Sequence, residues 1–100
     1  MNRADERQYC VYVMASAKNG TLYVGVTSNL IMRVEAHRSG VVPGFTARYG
    51  VKRLVYFEPV DDRETALARE KAMKKWNRAW KISLIERNNP GWDDLAERLE

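Results

Sequence analysis

Five side chains in this chain of 100 residues stand out by spacing among those that can carry protons or bind charge: Tyr12, Tyr23, Arg33, His37 and Glu70. A phenol or an imidazole can hand on a proton. A guanidinium holds an anion through two parallel hydrogen bonds, and a carboxylate holds a cation. Their spacing sorts them into pairs. Tyr12 lies in "CVYVMA" and Tyr23 in "LYVGVT", two runs rich in Val, Tyr and Thr that predict strands over 9–15 and 21–27. "AKNG" between them is a turn, because Asn-Gly accepts the positive φ a tight hairpin needs. Alternation puts Tyr9, Val11, Val13, Leu22, Val24 and Val26 on one face, and Cys10, Tyr12, Met14, Tyr23, Gly25 and Thr27 on the other. With the aliphatic face on a core, both tyrosines share the opposite face and Gly25 leaves open space beside Tyr23.

Arg33 and His37 stand four residues apart on a helix predicted over 30–38, beside an apolar stripe of Leu30, Ile31 and Val34. Thr27, Ser28 and Asn29 offer N-caps for it, and Gly40 ends it. Glu70 follows Ala66 and Leu67 and precedes Met73 at helical spacing, so it borders an apolar stripe where a carboxylate needs a partner. Asn77 lies seven residues further, on the same side if that helix is continuous. Each of these has a plainer reading. A strand tyrosine packs with its hydroxyl at the rim, a lone histidine beside an apolar stripe is structural, and Glu70 pairs with Lys74 one turn on. Cys10 shares the tyrosine face, but nothing near it in sequence activates a thiol.

The elements that must position these groups follow from the rest of the pattern. The loop "VVPGFTARYG" leads to a third strand, "VKRLVYFEP", ended by Pro59. Residues 61–88 read as helix, either one long helix or two broken near 76–78. Ala66, Leu67, Met73, Trp76, Trp80 and Leu84 form its buried stripe, with no stacking role for the indoles. Asn89 is expected to cap a short last helix with Pro90 in its first turn. The fold class is therefore α+β: a small three-stranded antiparallel sheet flanked by helices, in the order β-β-α-β-α-α. One domain over 7–88 is expected, followed by a tail over 89–100.

Composition limits the function classes. The formal net charge is +4 and the sequence pI is about 9.4, a mild lean toward polyanions. The bias is local: seven basic residues (Arg69, Lys71, Lys74, Lys75, Arg78, Lys81, Arg87) stand against Glu70 and Glu86. No apolar run approaches the roughly 20 residues that cross a bilayer. "MNRADERQY" lacks the apolar segment of a signal peptide. One cysteine allows neither an internal disulfide nor a thiolate metal cluster. A cytoplasmic setting with no membrane partner is expected.

"CVYVMAS" followed by "LYVGVTSNLIMRVEAHRSG" resembles the GIY-YIG nuclease superfamily, in particular its small single-domain bacterial members. The likeness runs from about residue 9 to 84 and includes the "TARYG" loop and the "ARE" of the later helix. The family's first-motif tyrosine matches Tyr12, and its Tyr-aliphatic-Gly motif matches Tyr23, Val24 and Gly25. Its helix arginine falls on Arg33, a histidine found in several branches on His37, and its metal-binding glutamate on Glu70. Cys10 replaces the first motif's glycine, a position without chemistry. The family's downstream asparagine has only Asn77, as a weak candidate, or Asn88 and Asn89 at longer spacing.

The resemblance implies a divalent-metal-dependent endonuclease that hydrolyses DNA phosphodiester bonds. Its specificity would be low or structure-selective, for branched or single-stranded DNA in repair or recombination. Glu70 as sole carboxylate implies one Mg²⁺ or Mn²⁺ with a water-rich shell. Arg33 would stabilise phosphate charge. Tyr12 would take the proton of the attacking water while Tyr23 orients it. His37 would relay that proton, act as the base itself, or hold the geometry. Arg38, Arg48, Lys52, Lys71, Lys74, Lys75 and Arg78 would contact phosphates. Tyr49 and Phe45 would stack on an unpaired base or pin their loop. Two other classes compete. One is a nucleic-acid-binding module that cleaves poorly or only with a protein partner. The other is an interaction domain that docks through Trp92.

Overall fold

The computed structural model describes residues 9–41 and 44–99, with Phe45 described by its backbone alone; expectations for Pro43 and for the Phe45 ring lie outside that range. The chain forms β1 (Tyr9–Ala15), β2 (Leu22–Thr27), α1 (Leu30–Ser39), the one-turn α2 (Phe45–Arg48), β3 (Arg53–Val60), α3 (Arg63–Lys75), α4 (Arg78–Asn88) and a closing 3-10 helix (Leu95–Leu99). The strands make one antiparallel sheet in the order β2-β1-β3. The expected α+β class and antiparallel three-stranded sheet are thus what the chain forms, with α2 added inside the predicted loop.

β1 lies in the centre, and every residue from Cys10 to Ala15 is buried. A central strand covered on both faces gains from apolar residues at every position rather than alternate ones. One face carries Val11, Val13, Ala15 and Val24 against Ala66 and Met73 of α3, Leu84 and Ile85 of α4, and Trp92. The other carries Tyr12 and Met14 under Val34 of α1, with Val51, Leu54, Leu95 and Ala96 closing the second core. The tyrosine face is therefore a packed layer. β3 runs one residue beyond Pro59, which an edge strand tolerates. A register shift opposite Val13 and Met14 leaves Val55 as the extra residue of a bulge.

Local capping sets where the helices point. The Asn29 side chain accepts from the Met32 N–H at 3.2 Å and starts α1; Gly40 ends it at φ 79°, donating to the carbonyls of Ala36 and His37. The long helical stretch is two helices. Trp76 is extended, and the Asn77 carboxamide oxygen accepts from the Trp80 N–H at 2.9 Å, so a new helix begins where the old one would have continued.

This break corrects two expectations. Asn77 is a cap rather than a member of the Glu70 side of a continuous helix. Trp80 is 60% exposed rather than in the core stripe. Asn89 likewise ends α4 instead of starting the last helix. Its amide donates to Val55 O and Asp93 O at 3.1 and 2.9 Å. Asp94 starts the 3-10 helix, accepting from the N–H groups of Ala96 and Leu54. Trp92 is fully buried at φ 57°, with its indole N–H donated to Glu86 at 2.7 Å. An indole held in this way is part of the fold and offers no docking surface.

Candidate active site

Strand pairing brings the tyrosines together. Tyr12 sits opposite Gly25, and Tyr23 opposite Met14, so both rings leave the same face of the sheet. α1 crosses that face and lowers His37 onto them. The ring centroids form a triangle: 6.2 Å between the tyrosines, 5.8 Å from Tyr12 to His37 and 5.3 Å from Tyr23 to His37. The space at Gly25 is filled by the phenol of Tyr12 and is not a gap beside Tyr23. A Cβ built on Gly25 would lie 2.6 Å from Tyr12 Cζ and from its hydroxyl oxygen. The glycine is thus the condition for seating Tyr12.

The Tyr12 hydroxyl lies 3.0 Å from His37 Nε2, and His37 Nδ1 lies 3.0 Å from Thr46 Oγ1. All three residues are almost wholly buried. Two proton arrangements satisfy this chain. Tyr12 O–H donates to Nε2 while Nδ1–H donates to Thr46, or Nε2–H donates to the phenol oxygen while Thr46 O–H donates to Nδ1. Burial raises the Tyr12 pKa well above the ordinary phenol range. Tyr23, Glu70 and Cys10 add to that rise, and the positive charge of Arg33 opposes it. Burial and Arg33 lower the pKa of His37. The resting pair is consequently a neutral phenol and a neutral imidazole. Thr46 is a site residue that spacing did not mark; the only sequence signal was its place in the "TARYG" loop, where no periodicity reveals which side chains turn inward. Burial also pushes the Cys10 thiol up to about 11, so the expected inert thiol is what the environment makes.

Glu70 reaches the same region from α3, close enough to act on the Tyr12 phenol. Its carboxylate is 17% exposed and lies 3.1 Å from the ammonium of Lys74, which sits 5.9 Å from the Tyr23 ring centroid. Arg33 is exposed on α1 and lines a surface groove with Thr27, Ser28 and Arg63. Arg63 was not among the expected contacts. Among the described residues no three His, Cys, Asp or Glu side chains form a cluster able to hold a metal. Glu70 alone fits a hard cation that keeps most of its water. It already neutralises one cation, Lys74, in the position such an ion would share.

The expected phosphate contacts, Arg38, Arg48, Lys52, Lys71, Lys74, Lys75 and Arg78, are all exposed. Three have internal work. Lys74 pairs with Glu70, Arg48 lies 5.6 Å from the Tyr49 ring centroid, and Arg78 donates to Asn19 O and Gly20 O at 2.7 Å each, clamping the β1–β2 turn. Asn88 donates to Leu84 O, and Asn89 is wholly engaged with Val55 and Asp93. With Asn77 a cap, all three asparagines have structural roles.

A hairpin that turns one tyrosine of each strand to the same face, an arginine and histidine on the helix that follows, and a glutamate on a later helix define a nuclease-type catalytic domain. The family model for the GIY-YIG catalytic domain matches residues 8–83, and the chain belongs to that family. Within it the chain is similar to small UPF0213 proteins. It is 39% identical over 75 residues to UPF0213 protein CPE1444 of Clostridium perfringens, covering 75% of this chain and 80% of that one. It is 39% identical over 77 residues to a UPF0213 protein of Pediococcus pentosaceus, covering 77% and 80%. The solution NMR structure of UPF0213 protein BH0048 from Bacillus halodurans superposes with a TM-score of 0.54 at 27% identity, covering 86% of this chain and 90% of that one. The family implies DNA binding and the use of a divalent metal in general terms. No helix of the described residues is long and apolar enough to cross a membrane.

The buried histidine makes a measurable pH dependence. Folding depresses the His37 pKa, so in the window between its folded value and about 6.5 the unfolded chain holds more protons. The stability associated with neutral His37 is present above about pH 6.5 and is lost as pH falls through that window. Since His37 is the chain's one histidine, its imidazole C–H resonance by NMR should titrate below pH 6.5. A midpoint at or above 6.5 would contradict the buried neutral ring. The urea midpoint of wild type should fall more between pH 7 and pH 5 than that of His37→Gln.

Proposed function

We propose that the protein is a divalent-metal-dependent endonuclease that hydrolyses DNA phosphodiester bonds, with Tyr12, Tyr23, Arg33, His37 and Glu70 as its site. The observation that carries this reading is Tyr12. Its hydroxyl is hydrogen-bonded to His37, and its phenol feels both a cation, Arg33, and a carboxylate, Glu70, from two different helices. A packing tyrosine needs none of these neighbours.

Hydrolysis requires that a water lose a proton as its oxygen attacks phosphorus. Tyr12 accepts that proton while passing its own to His37 Nε2, which the first of the two proton arrangements allows. Thr46 fixes the ring for this transfer by taking the Nδ1 proton as a hydrogen bond. Tyr23, half-buried beside both rings, orients the water or the phosphate. Arg33 holds two phosphate oxygens and strengthens its hold as their charge grows in the transition state. Glu70 would hold a divalent cation, Mg²⁺ or Mn²⁺, which would supply Lewis-acid neutralisation of charge on the phosphate. Specificity is low or follows DNA structure. Branched or single-stranded DNA, met in repair or recombination in the cytoplasm, is the substrate class, and a protein partner remains compatible with it. Exposed Lys52, Lys71 and Lys75 contribute phosphate contacts around the site.

The competing reading is a binding module that keeps the fold and cleaves poorly. Arg33→Ala separates the two. Cleavage should fall roughly 10²–10³-fold, the usual effect of losing one charge-stabilising donor. DNA affinity at fixed salt should fall only as expected for one lost phosphate contact, less than about tenfold. Equal losses in single-turnover rate and in affinity would make the chain a binding module.

A further inference from the structure

The junction of α3 and α4 carries an aromatic surface that the proton chain and Glu70 do not use. Trp76 packs at the margin of the first core, whereas Trp80, in the first turn of α4, is 60% exposed. The two indoles meet edge to face, with centroids 6.2 Å apart and planes at 77°. Trp76 is braced from elsewhere. The Arg69 guanidinium lies 5.2 Å from its ring centroid, and Arg69 is held to Glu58 by hydrogen bonds of 2.8 and 3.2 Å. Trp80 thus leans on a fixed support while most of its surface stays in water. A large aromatic left exposed is informative where a scattered small apolar residue is not.

The charge around it identifies the occupant. Between Lys71 and Ile85 there is no Asp or Glu, and Lys71, Lys74, Lys75, Arg78 and Lys81 all fall in that stretch. Glu58, the acid that holds the bracing Arg69, is neutralised by it. Within that stretch Lys81 Nζ donates to Lys74 O at 3.5 Å, and the Lys74 ammonium lies 3.1 Å from Glu70. A flat aromatic among cations matches a nucleobase with its phosphate, since every base has a stacking face.

We propose that Trp80, braced by Trp76, is a stacking station for an unpaired nucleobase, so that the favoured nucleic acid carries a single-stranded segment. That the bound strand is also a substrate rests on the nuclease reading; the stacking itself does not. The test uses dye-labelled oligothymidylate and a duplex of equal length, measured by anisotropy in EDTA so that nothing is cleaved. Trp80→Ala should weaken oligothymidylate binding by about fivefold to a hundredfold, the range for one lost stacking contact, with duplex affinity changed less than about twofold. Trp80→Phe should restore most of the loss. Oligothymidylate should quench wild-type tryptophan emission, and much less so in Trp80→Ala, where Trp76 and the buried Trp92 remain. Equal losses on both nucleic acids, or none on oligothymidylate, would overturn the proposal. So would a change in sedimentation on Trp80→Ala, which would assign the surface to a protein contact. Because the readout needs no metal and no cleavage, an inactive wild type would leave this result standing. Conversely, active enzyme with Trp80-independent strand binding would remove this proposal alone.

Discussion

Glu70→Gln should reduce metal-dependent DNA cleavage by at least about a hundredfold while leaving the protein folded. Losing even a supporting partner of a metal ligand costs about 10–100-fold, and among the described residues Glu70 is the carboxylate that acts on the Tyr12 phenol. Glutamine keeps the shape and one oxygen but removes the charge that would hold a cation. The stability cost is small, because the interaction removed from the fold is a helical pair one turn apart. Lys74 is half exposed there, and such pairs contribute about 0.3–0.5 kcal/mol. Raising the Mg²⁺ or Mn²⁺ concentration should recover part of the lost rate if the defect is in cation affinity. A Glu70→Gln protein as active as wild type across that titration would remove Glu70 from the site.

Gly25→Ala should be nearly as damaging, by a different route. The added Cβ would lie 2.6 Å from Tyr12 Cζ and its hydroxyl oxygen. The ring it meets is 1% exposed and tied to His37, so it has little freedom to withdraw. Either the strand pair opens or the phenol leaves its bond to His37. Overpacking of this kind costs typically 1–3 kcal/mol, and displacing a reacting group by about 1 Å costs on the order of a hundredfold in rate. Thermal unfolding would report the first effect, and single-turnover cleavage the second. Gly25→Ala with unchanged stability and rate would show that the Tyr12 hydroxyl need not stay where the fold puts it.

The hairpin was legible because one face of each strand is mostly aliphatic. With the Val-rich faces aligned, Tyr12 and Tyr23 could fall only on the opposite face, and the pairing of Tyr12 with Gly25 confirms it. The same period-two logic hid that this second face is also packed. Its lid is Val34, Val51, Leu95 and Ala96, from three segments distant in sequence, and alternation within a strand says nothing about what arrives from elsewhere. Thr46 was illegible for a related reason, since a loop has no period. Trp80 differs for another reason. The stripe at 3.6-residue spacing runs across Asn77, where the side chain of a good capping residue outcompetes the next backbone bond. That one hydrogen bond turns the following helix and moves an indole from core to surface. Trp92 went the opposite way, because burial of the tail depends on Asn89 and Asp94 binding β3, contacts that span more than thirty positions.

The account is tested most directly by single-turnover incubation of wild type in ¹⁸O-labelled water, with Mg²⁺ or Mn²⁺, on flap, junction, single-stranded and duplex DNA. Glu70→Gln purified in parallel serves as the reference. The site described here predicts cleavage in the wild-type lanes alone, abolished by EDTA, with one ¹⁸O on the terminal phosphate of the product. Cleavage no greater than that of Glu70→Gln on every substrate, or a product phosphate linked to a tyrosine, would contradict it.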